Sequence, residues 1–215
     1  MMAVKCTLNI LLGLGLLTVA ARAETAVLPL VANGGFEAWQ DAPARLQQAI
    51  DCRQLPVGWM LNPGLTGKQY TVLRDADNKH GGACSVRLSN TDTTGGIVMA
   101  QRLEAEPETR YKIRLWLKGE KIDAYHPKGI IVTLVASCQT DKQDNNMWAG
   151  SLRATDKTTY PNNGTFDWTE LVGTVDTPVK TRSLMVCVVL RGAGVMWVDD
   201  VEMTPLEKCI EVESY

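Results

Sequence analysis

The chain has 215 residues, of which 22 are Lys or Arg, 24 are Asp or Glu and two are His, and its formal net charge is −2. This near balance of charges argues against a nucleic-acid partner and against attraction to an anionic membrane surface. The length is sufficient for one sizeable domain with its own core.

The first 23 residues have the pattern of a secretory signal peptide. A basic start that includes Lys5 precedes a mostly apolar stretch, residues 8–20, and the small-x-small sequence Ala-Arg-Ala at 21–23. The apolar stretch is shorter than the roughly 20 residues that a membrane-spanning helix needs. The alternative is that the segment is retained as an N-terminal anchor. We therefore expect a secreted or periplasmic protein with one domain at residues 24–215 and no membrane span in the mature chain. Removal of the predicted signal peptide takes away two basic residues, Lys5 and Arg22. The predicted mature chain then has 20 basic and 24 acidic residues and a net charge of −4.

One stretch, residues 42–51, has a helical pattern. It consists mainly of good helix formers, and Leu46, Ala49 and Ile50 fall on one side. Pro43 is suitably placed near the start, where its missing N–H costs nothing. The pattern predicts one short helix inserted between Glu37 and the strands that follow.

Eight later segments have strand character and are separated by turns rich in glycine and asparagine. In residues 111–118, apolar and polar side chains alternate, which places Arg114 and Trp116 on the face opposite the apolar one. The other candidate strands are residues 70–74, 85–89, 97–101, 129–138, 169–174, 184–190 and 195–203. The β-branched runs within residues 130–133 and 186–189 suit central strands. Strands at this spacing predict an all-β sandwich of two antiparallel sheets, with a loop at residues 139–166.

Two short segments near opposite ends of this region carry carboxylates beside apolar residues. The first is Asn-Gly-Gly-Phe-Glu, ending at Glu37, and the second is Trp-Val-Asp-Asp-Val, which contains Asp199 and Asp200. If the first and last strands are neighbours, Glu37 and one aspartate could share a site for a hard cation. Alternation along the strand does not choose between the two aspartates, and a solvated or lysine-paired role for these carboxylates is the alternative.

Five cysteines follow the predicted signal peptide: Cys52, Cys84, Cys138, Cys187 and Cys209. An exported protein is permitted disulfides, but an odd number leaves at least one thiol unpaired or paired with another chain. Their spacing matches no zinc pattern. We expect Cys138 and Cys187 within packed strands, and a Cys52–Cys84 bridge as the first choice because it would attach the inserted helix to the sandwich.

An ordered set of motifs resembles a known family. The motifs are Asn33-Gly34-Gly35-Phe36-Glu37, Pro56-x-Gly58-Trp59, His80-Gly81-Gly82, Tyr111 with Trp116-x-Lys118-Gly119, Asp167-Trp168-Thr169 and Trp197-x-Asp199-Asp200-Val201. Together they resemble the carbohydrate-binding modules of the family 4, 9 and 22 type, over nearly all of residues 30–206. The resemblance implies a galactose-binding-like jelly-roll β-sandwich. It also implies a structural calcium ion away from the sugar site, held by Glu37, the Gly35 carbonyl and Asp199 or Asp200, since calcium takes six to eight oxygens.

Sugar recognition requires flat apolar faces and planar polar groups. Candidates are Arg114 and Trp116 on an expected concave sheet, the loop residues Gln143, Asn145, Asn146, Trp148 and Tyr160 above the same face, and Tyr125 at a rim. Trp59, Trp168 and Trp197 are expected to pack the interior, and loop anchoring is the alternative for Trp148.

No sequence motif of a catalytic nucleophile with its base is present, and the two histidines are isolated from each other. The sequence therefore favours a non-catalytic protein that binds a polysaccharide or glycan. The alternative is a protein-interaction or envelope-assembly module of the same fold without sugar affinity, and a hydrolase is the third class.

Overall fold

The computed structural model describes residues 30–62, 66–123, 130–139, 144–152 and 163–208. The predicted signal peptide, residues 1–23, lies outside the described residues, as do three candidate ligand residues, Tyr125, Gln143 and Tyr160.

Within these ranges the chain forms twelve strands and one helix. In chain order they are β1 (Trp39–Asp41), α1 (Ala44–Ala49), β2 (Gln54–Pro56), β3 (Met60–Leu61), β4 (Tyr70–Asp75), β5 (Ser85–Asn90), β6 (Gly96–Glu104), β7 (Thr109–Asp123), β8 (Ile130–Gln139), β9 (Asp144–Leu152), β10 (Gly164–Asp176), β11 (Thr181–Arg191) and β12 (Ala193–Lys208).

Two five-stranded antiparallel sheets form the sandwich, and β1 and β2 pair as a small separate sheet. Sheet I has the strand order β10-β7-β12-β5-β4, and sheet II has the order β3-β6-β11-β8-β9. The predicted all-β sandwich of two antiparallel sheets with one short helix is confirmed. All eight predicted strands are present, several of them longer than predicted.

Alternating side chains from both sheets fill the core. In β7 of sheet I, Ile113, Leu115 and Leu117 are completely buried, whereas Arg114 and Trp116 between them face outward. Sheet II contributes a matching row from β11, with Leu184, Val186, Val188 and Leu190 buried. Removing these side chains from water supplies the main driving force for folding.

Helix α1 is shorter than the predicted residues 42–51. Pro43 occupies the N-cap position, and Ile50 at the other end already has extended backbone angles, with φ −136° and ψ 173°. Ile50 is completely buried, while Leu46 and Ala49 pack against the same core. A helix of this length is marginal alone, so it depends on this packing.

The loop predicted at residues 139–166 is wrong in its central part. Residues 144–152 form β9, the edge strand of sheet II, and β10 begins at Gly164. The β9 sequence begins Asp-Asn-Asn and lacks clear alternation, so no local pattern marks it as a strand. Its pairing with β8 is a tertiary contact, interrupted by a register shift between Leu134 and Val135.

The expected Cys52–Cys84 bridge is not formed. Both residues are buried free thiols. The Cys52 thiol donates to the Gln54 carbonyl at 3.3 Å, and the Cys84 thiol donates to the Phe36 carbonyl at 3.1 Å. Cys187 is buried in β11, as predicted for a cysteine within a packed strand.

Among the described residues, no helix is both long enough and apolar enough to cross a membrane.

Candidate functional site

The two carboxylate-bearing segments lie side by side. The Val201 N–H donates to the Gly34 carbonyl at 3.0 Å, and the Leu30 N–H donates to the Met203 carbonyl at 2.9 Å. A side chain at Gly34 would collide with the Val201 carbonyl, so glycine allows this close approach. The first segment is a turn, whereas the second belongs to β12.

The structure separates the roles of the two neighbouring aspartates. Asp199 is completely buried, and one oxygen, Oδ2, accepts the N–H groups of His80 at 2.9 Å and Gly81 at 3.2 Å. Its other oxygen, Oδ1, accepts the Asp200 N–H at 2.9 Å. Burial raises the pKa of Asp199 above its usual value, and the three N–H donors oppose this effect only in part. Asp199 therefore anchors the loop between β4 and β5.

Asp200 faces the other way because its backbone adopts a left-handed conformation, with φ 47°. Its Oδ2 lies 2.7 Å from Nδ1 of His80, and its carboxylate is close to the backbone of Gly35 and Gly81. On the other side of the same loop, the Glu37 carboxylate accepts the Ala83 N–H at 2.7 Å. Asp200 and Glu37 thus flank one glycine turn.

The expected calcium site can be tested against this donor set. The carboxylates of Glu37 and Asp200 are hard oxygen donors of the kind that calcium takes, and Gly35 is beside the carboxylate of Asp200. Asp199 does not suit the role, because its oxygens already accept three N–H groups. Within the described part of the chain, no three His, Cys, Asp or Glu side chains converge as a metal site. An ion here would therefore depend on backbone carbonyls and water for most of its ligands.

A cluster of rings lies on the outward face of sheet I. The His80 imidazole stacks on the Trp116 indole, with ring centroids 3.8 Å apart and planes inclined by 13°. Trp168 meets the same imidazole edge-on, at 5.9 Å. Trp116 and Trp168 are both half-buried. One face of Trp116 is therefore covered by His80 and is not an open platform.

Three charged side chains stand next to these rings. The Arg114 guanidinium donates to Glu202 at 2.8 Å and lies 3.7 Å from Glu170. The hydrogen bond to Glu202 is the main reason that the pKa of Arg114 is raised. Each of the three side chains remains about two-fifths exposed. We call His80, Arg114, Trp116, Trp168, Glu170 and Glu202 the aromatic patch.

A second tryptophan environment lies beside the patch on the same sheet. Trp197 is only 4% exposed, and its indole N–H donates to Asp75 at 2.8 Å. The cationic groups of Arg87 and Lys118 lie 5.8 and 5.9 Å from its ring centroid. Such cation–π contacts cover the indole, so Trp197 acts in packing, as predicted. Trp59 is also packed in the core, at 4% exposure.

Among the described residues, the backbone positions of the candidate ligand residues are divided between the two sheets. Arg114 and Trp116 lie together on sheet I, whereas Trp148 belongs to β9 of sheet II, in register with Val135. Trp168, which was expected to be packed inside, is half-buried on the aromatic patch. Residues 144–152 of the segment that was predicted to overhang Arg114 and Trp116 therefore form a strand of sheet II and not a loop, and the rest of the predicted overhang lies outside the described residues.

Four members of the patch were missed as site residues from sequence: His80, Trp168, Glu170 and Glu202. Two of them, Glu170 and Glu202, are the register partners of Trp116 and Arg114 in β10 and β12. That register depends on bulges in both strands, which alternation alone does not reveal.

No protein-family model and no curated protein matches this sequence. Solved structures share its fold. A "putative sugar binding protein" from Bacteroides thetaiotaomicron VPI-5482 superposes with a TM-score of 0.54 at 12% identity, covering 83% of this chain and 100% of the other. A family 61 carbohydrate-binding module in complex with β-1,4-galactotriose gives 0.48 at 18% identity, covering 83% and 99%. A family 4 module gives 0.48 at 17% identity, covering 82% and 99%. Likenesses at such low identity concern the fold alone, and this chain shares the β-sandwich fold of the Bacteroides protein.

Proposed function

We propose that this protein is exported and non-catalytic, and that it binds a polysaccharide or glycan at the aromatic patch. The observation that carries the proposal is the ring cluster of exposed His80 with half-buried Trp116 and Trp168, next to the planar groups of Arg114 and Glu170. The fold shared with a "putative sugar binding protein" is compatible with this proposal.

The chemistry of the patch suits a pyranose. The C–H face of a sugar ring packs on aromatic rings, while guanidinium and carboxylate groups pair with neighbouring hydroxyls. Because His80 covers Trp116, the sugar would stack on Trp168 and on the exposed edge of His80. The ion pairs of Arg114 hold its guanidinium in place before a ligand arrives, which lowers the entropy cost of binding.

Affinity gel electrophoresis against a panel of soluble polysaccharides tests the proposal. We expect retardation by at least one polysaccharide, and we expect Trp168→Ala and Arg114→Gln to abolish it. Arg53→Gln, on an exposed arginine outside the patch, is the matched control and should leave retardation unchanged.

Two outcomes would contradict this assignment in different ways. Retardation that is lost in Trp148→Ala and retained in Trp168→Ala would move the sugar site to sheet II. A protein that no polysaccharide retards would instead support the protein-interaction alternative.

That alternative has one specific observation in its favour. The outward side of sheet II carries a small apolar cluster of Ala100, Cys187 and Val189, with Val98 and Met185 against it. Met60 in the edge strand β3 is 47% exposed beside Ala100. Ala100, Cys187 and Val189 are themselves buried, so the apolar surface that a protein partner could contact consists of exposed Met60 with half-buried Val98 and Met185.

The absence of catalysis is also part of the proposal. The nitrogen Nδ1 of His80 is engaged with Asp200, and its ring is stacked on Trp116, so neither Nδ1 nor that ring face is open to a substrate. Model glycosides and esters should not be turned over, and measurable turnover that Glu170→Gln or Glu202→Gln abolished would overturn this part of the proposal.

We further propose that Glu37 and Asp200, with the Gly35 carbonyl, hold a structural calcium ion. Such an ion would supply positive charge between two carboxylates and link the first turn of the sandwich to its last strand. The two carboxylates on opposite sides of the Gly81-Gly82 turn support this proposal.

A further inference from the structure

A pocket lies between helix α1 and the edge strand β3, away from the aromatic patch. Its volume is about 350 Å³. Its inner wall is apolar and includes Leu46 from the helix, with Leu55, Trp59 and Leu61 from the sandwich. Its rim is polar and includes Gln40 and Arg45. Asn62 and Thr66 add further polar groups to the lining. A pocket of this size that combines apolar side chains with a few polar groups is typical of a small-molecule site.

The pocket is held open by contacts that fix α1 on the sandwich. Near the C-terminal end of the helix, the Gly67 N–H donates to the Ala49 carbonyl at 2.8 Å. The Lys68 ammonium donates to the carbonyls of Gln47 at 3.3 Å and Ile50 at 3.2 Å. Ile50 is completely buried in the core. The helix is therefore anchored independently of the pocket, and a ligand would not have to order it.

Arg45 is the one charged residue among the described residues that line the pocket. Its guanidinium makes no hydrogen bond or ion pair with any described residue, in contrast to Arg114, which is paired with two carboxylates. No described aspartate or glutamate lines the pocket. The rim thus presents uncompensated positive charge in a planar group that matches a carboxylate.

We propose that this pocket binds a small monocarboxylate with an apolar body. The apolar body packs against Leu46, Leu55 and Trp59, and the carboxylate pairs with Arg45 at the rim. The side-chain amide of Gln40, which makes no hydrogen bond with the described residues, supplies a further donor to the same carboxylate. This site is separate from the proposed sugar site and does not depend on it.

Calorimetric titration of the full chain with octanoate tests the proposal, and octanol is the uncharged comparison. We expect saturable octanoate binding, with octanol roughly fivefold weaker because it lacks the ion pair. Arg45→Gln should weaken octanoate binding roughly fivefold and leave octanol binding unchanged. Arg53→Gln, an exposed arginine that does not line the pocket, should change neither affinity.

A second variant tests the position of the apolar body. Ala49 lines the pocket, and Ala49→Phe should fill it and abolish binding of both probes. A far-ultraviolet spectrum and a melting curve like those of the wild type verify that each variant is folded. The proposal is overturned if octanoate does not bind saturably, if Arg45→Gln binds it as well as Arg53→Gln does, or if folded Ala49→Phe still binds it.

Discussion

The imidazole of His80 lies flat on the indole of Trp116, with ring centroids 3.8 Å apart, although His80 belongs to the β4–β5 loop and Trp116 to strand β7. The stack holds the β4–β5 loop on the outward face of sheet I. Asp199 holds the same loop from beneath through the N–H groups of His80 and Gly81. The loop is thus fixed on both sides, and this fixes the geometry of the aromatic patch.

Replacing His80 by alanine should lower stability by about 1 kcal/mol, because a stacked aromatic pair contributes roughly that amount. Urea unfolding followed by circular dichroism measures the change. Lys79→Ala, at the exposed neighbouring position, is the control and should have a much smaller effect. Equal stability of the His80 variant and the wild type would show that the stack does not hold the loop.

Replacing Asp199 by asparagine should destabilise the fold by about 1–2 kcal/mol, because an amide has one acceptor oxygen and leaves a buried N–H group unpaired. Asp200→Asn is a matched control, since Asp200 accepts no backbone N–H in the described structure. Chemical unfolding in the presence of a chelator compares the two variants without a contribution from metal. If Asp200→Asn lowered the free energy of unfolding more than Asp199→Asn does, Asp199 would not be the residue that anchors the loop.

Chelation should lower the melting temperature and leave the β-sandwich intact, since the core does not depend on an ion. A metal that binds only the folded state adds about 2.7 kcal/mol when its concentration is a hundredfold above its dissociation constant. Glu37→Gln should remove the chelator sensitivity without changing sugar binding. Glu104→Gln, an exposed residue on β6, should keep the sensitivity. A wild-type melting curve that is the same with and without chelator would refute the calcium proposal.

Acid should destabilise the protein partly through Asp75. Burial tends to raise the pKa of Asp75, but hydrogen bonds from Asn78, Trp197 and Asp77 outweigh it and leave the pKa below its usual value of 3.8. A carboxyl with a lowered pKa in the folded state contributes stability above its unfolded pKa. That contribution is lost as the pH falls through the folded pKa.

The corresponding measurement compares the unfolding free energy at about pH 6 and about pH 3, a window that includes the usual pKa of an aspartate. Asp75→Asn should reduce the loss of stability between these two conditions. Asp77→Asn is the control, because the Asp77 carboxylate makes no hydrogen bond with the described residues. It should lose as much stability between the two pH values as the wild type does. An Asp75→Asn variant as acid-sensitive as the wild type would contradict the prediction.

The buried thiols of Cys52 and Cys84 should resist alkylation in the native protein. Burial, with a smaller contribution from the charge of Asp51, raises the pKa of Cys52 to about 12, so its reactive thiolate is scarce at neutral pH. Cys84 is completely buried. Iodoacetamide should therefore modify both only after unfolding, without any reductant. Detection by mass spectrometry of a disulfide-linked peptide pair that contains Cys52 and Cys84 would contradict the assignment of both residues as free thiols.

Local patterns in the sequence determined the class of fold and the direction of many side chains. Alternation in residues 111–118 correctly divided β7 into a buried row and an outward row that contains Arg114 and Trp116. This succeeds because a strand between core and solvent has a side-chain period of two, which is a local property. The segments that end at Glu37 and begin at Trp197 do meet, which is the condition that the sequence analysis set for a shared cation site.

Only the tertiary structure decided which residues share a surface. It assigned different roles to Asp199 and Asp200, placed His80 on Trp116 and moved Trp148 to the other sheet. Each of these depends on contacts between residues far apart in sequence, or on a bulge or left-handed residue that shifts a side chain to another face. A period of two along one strand does not report such contacts, because a single-residue shift in register reverses every side chain that follows it.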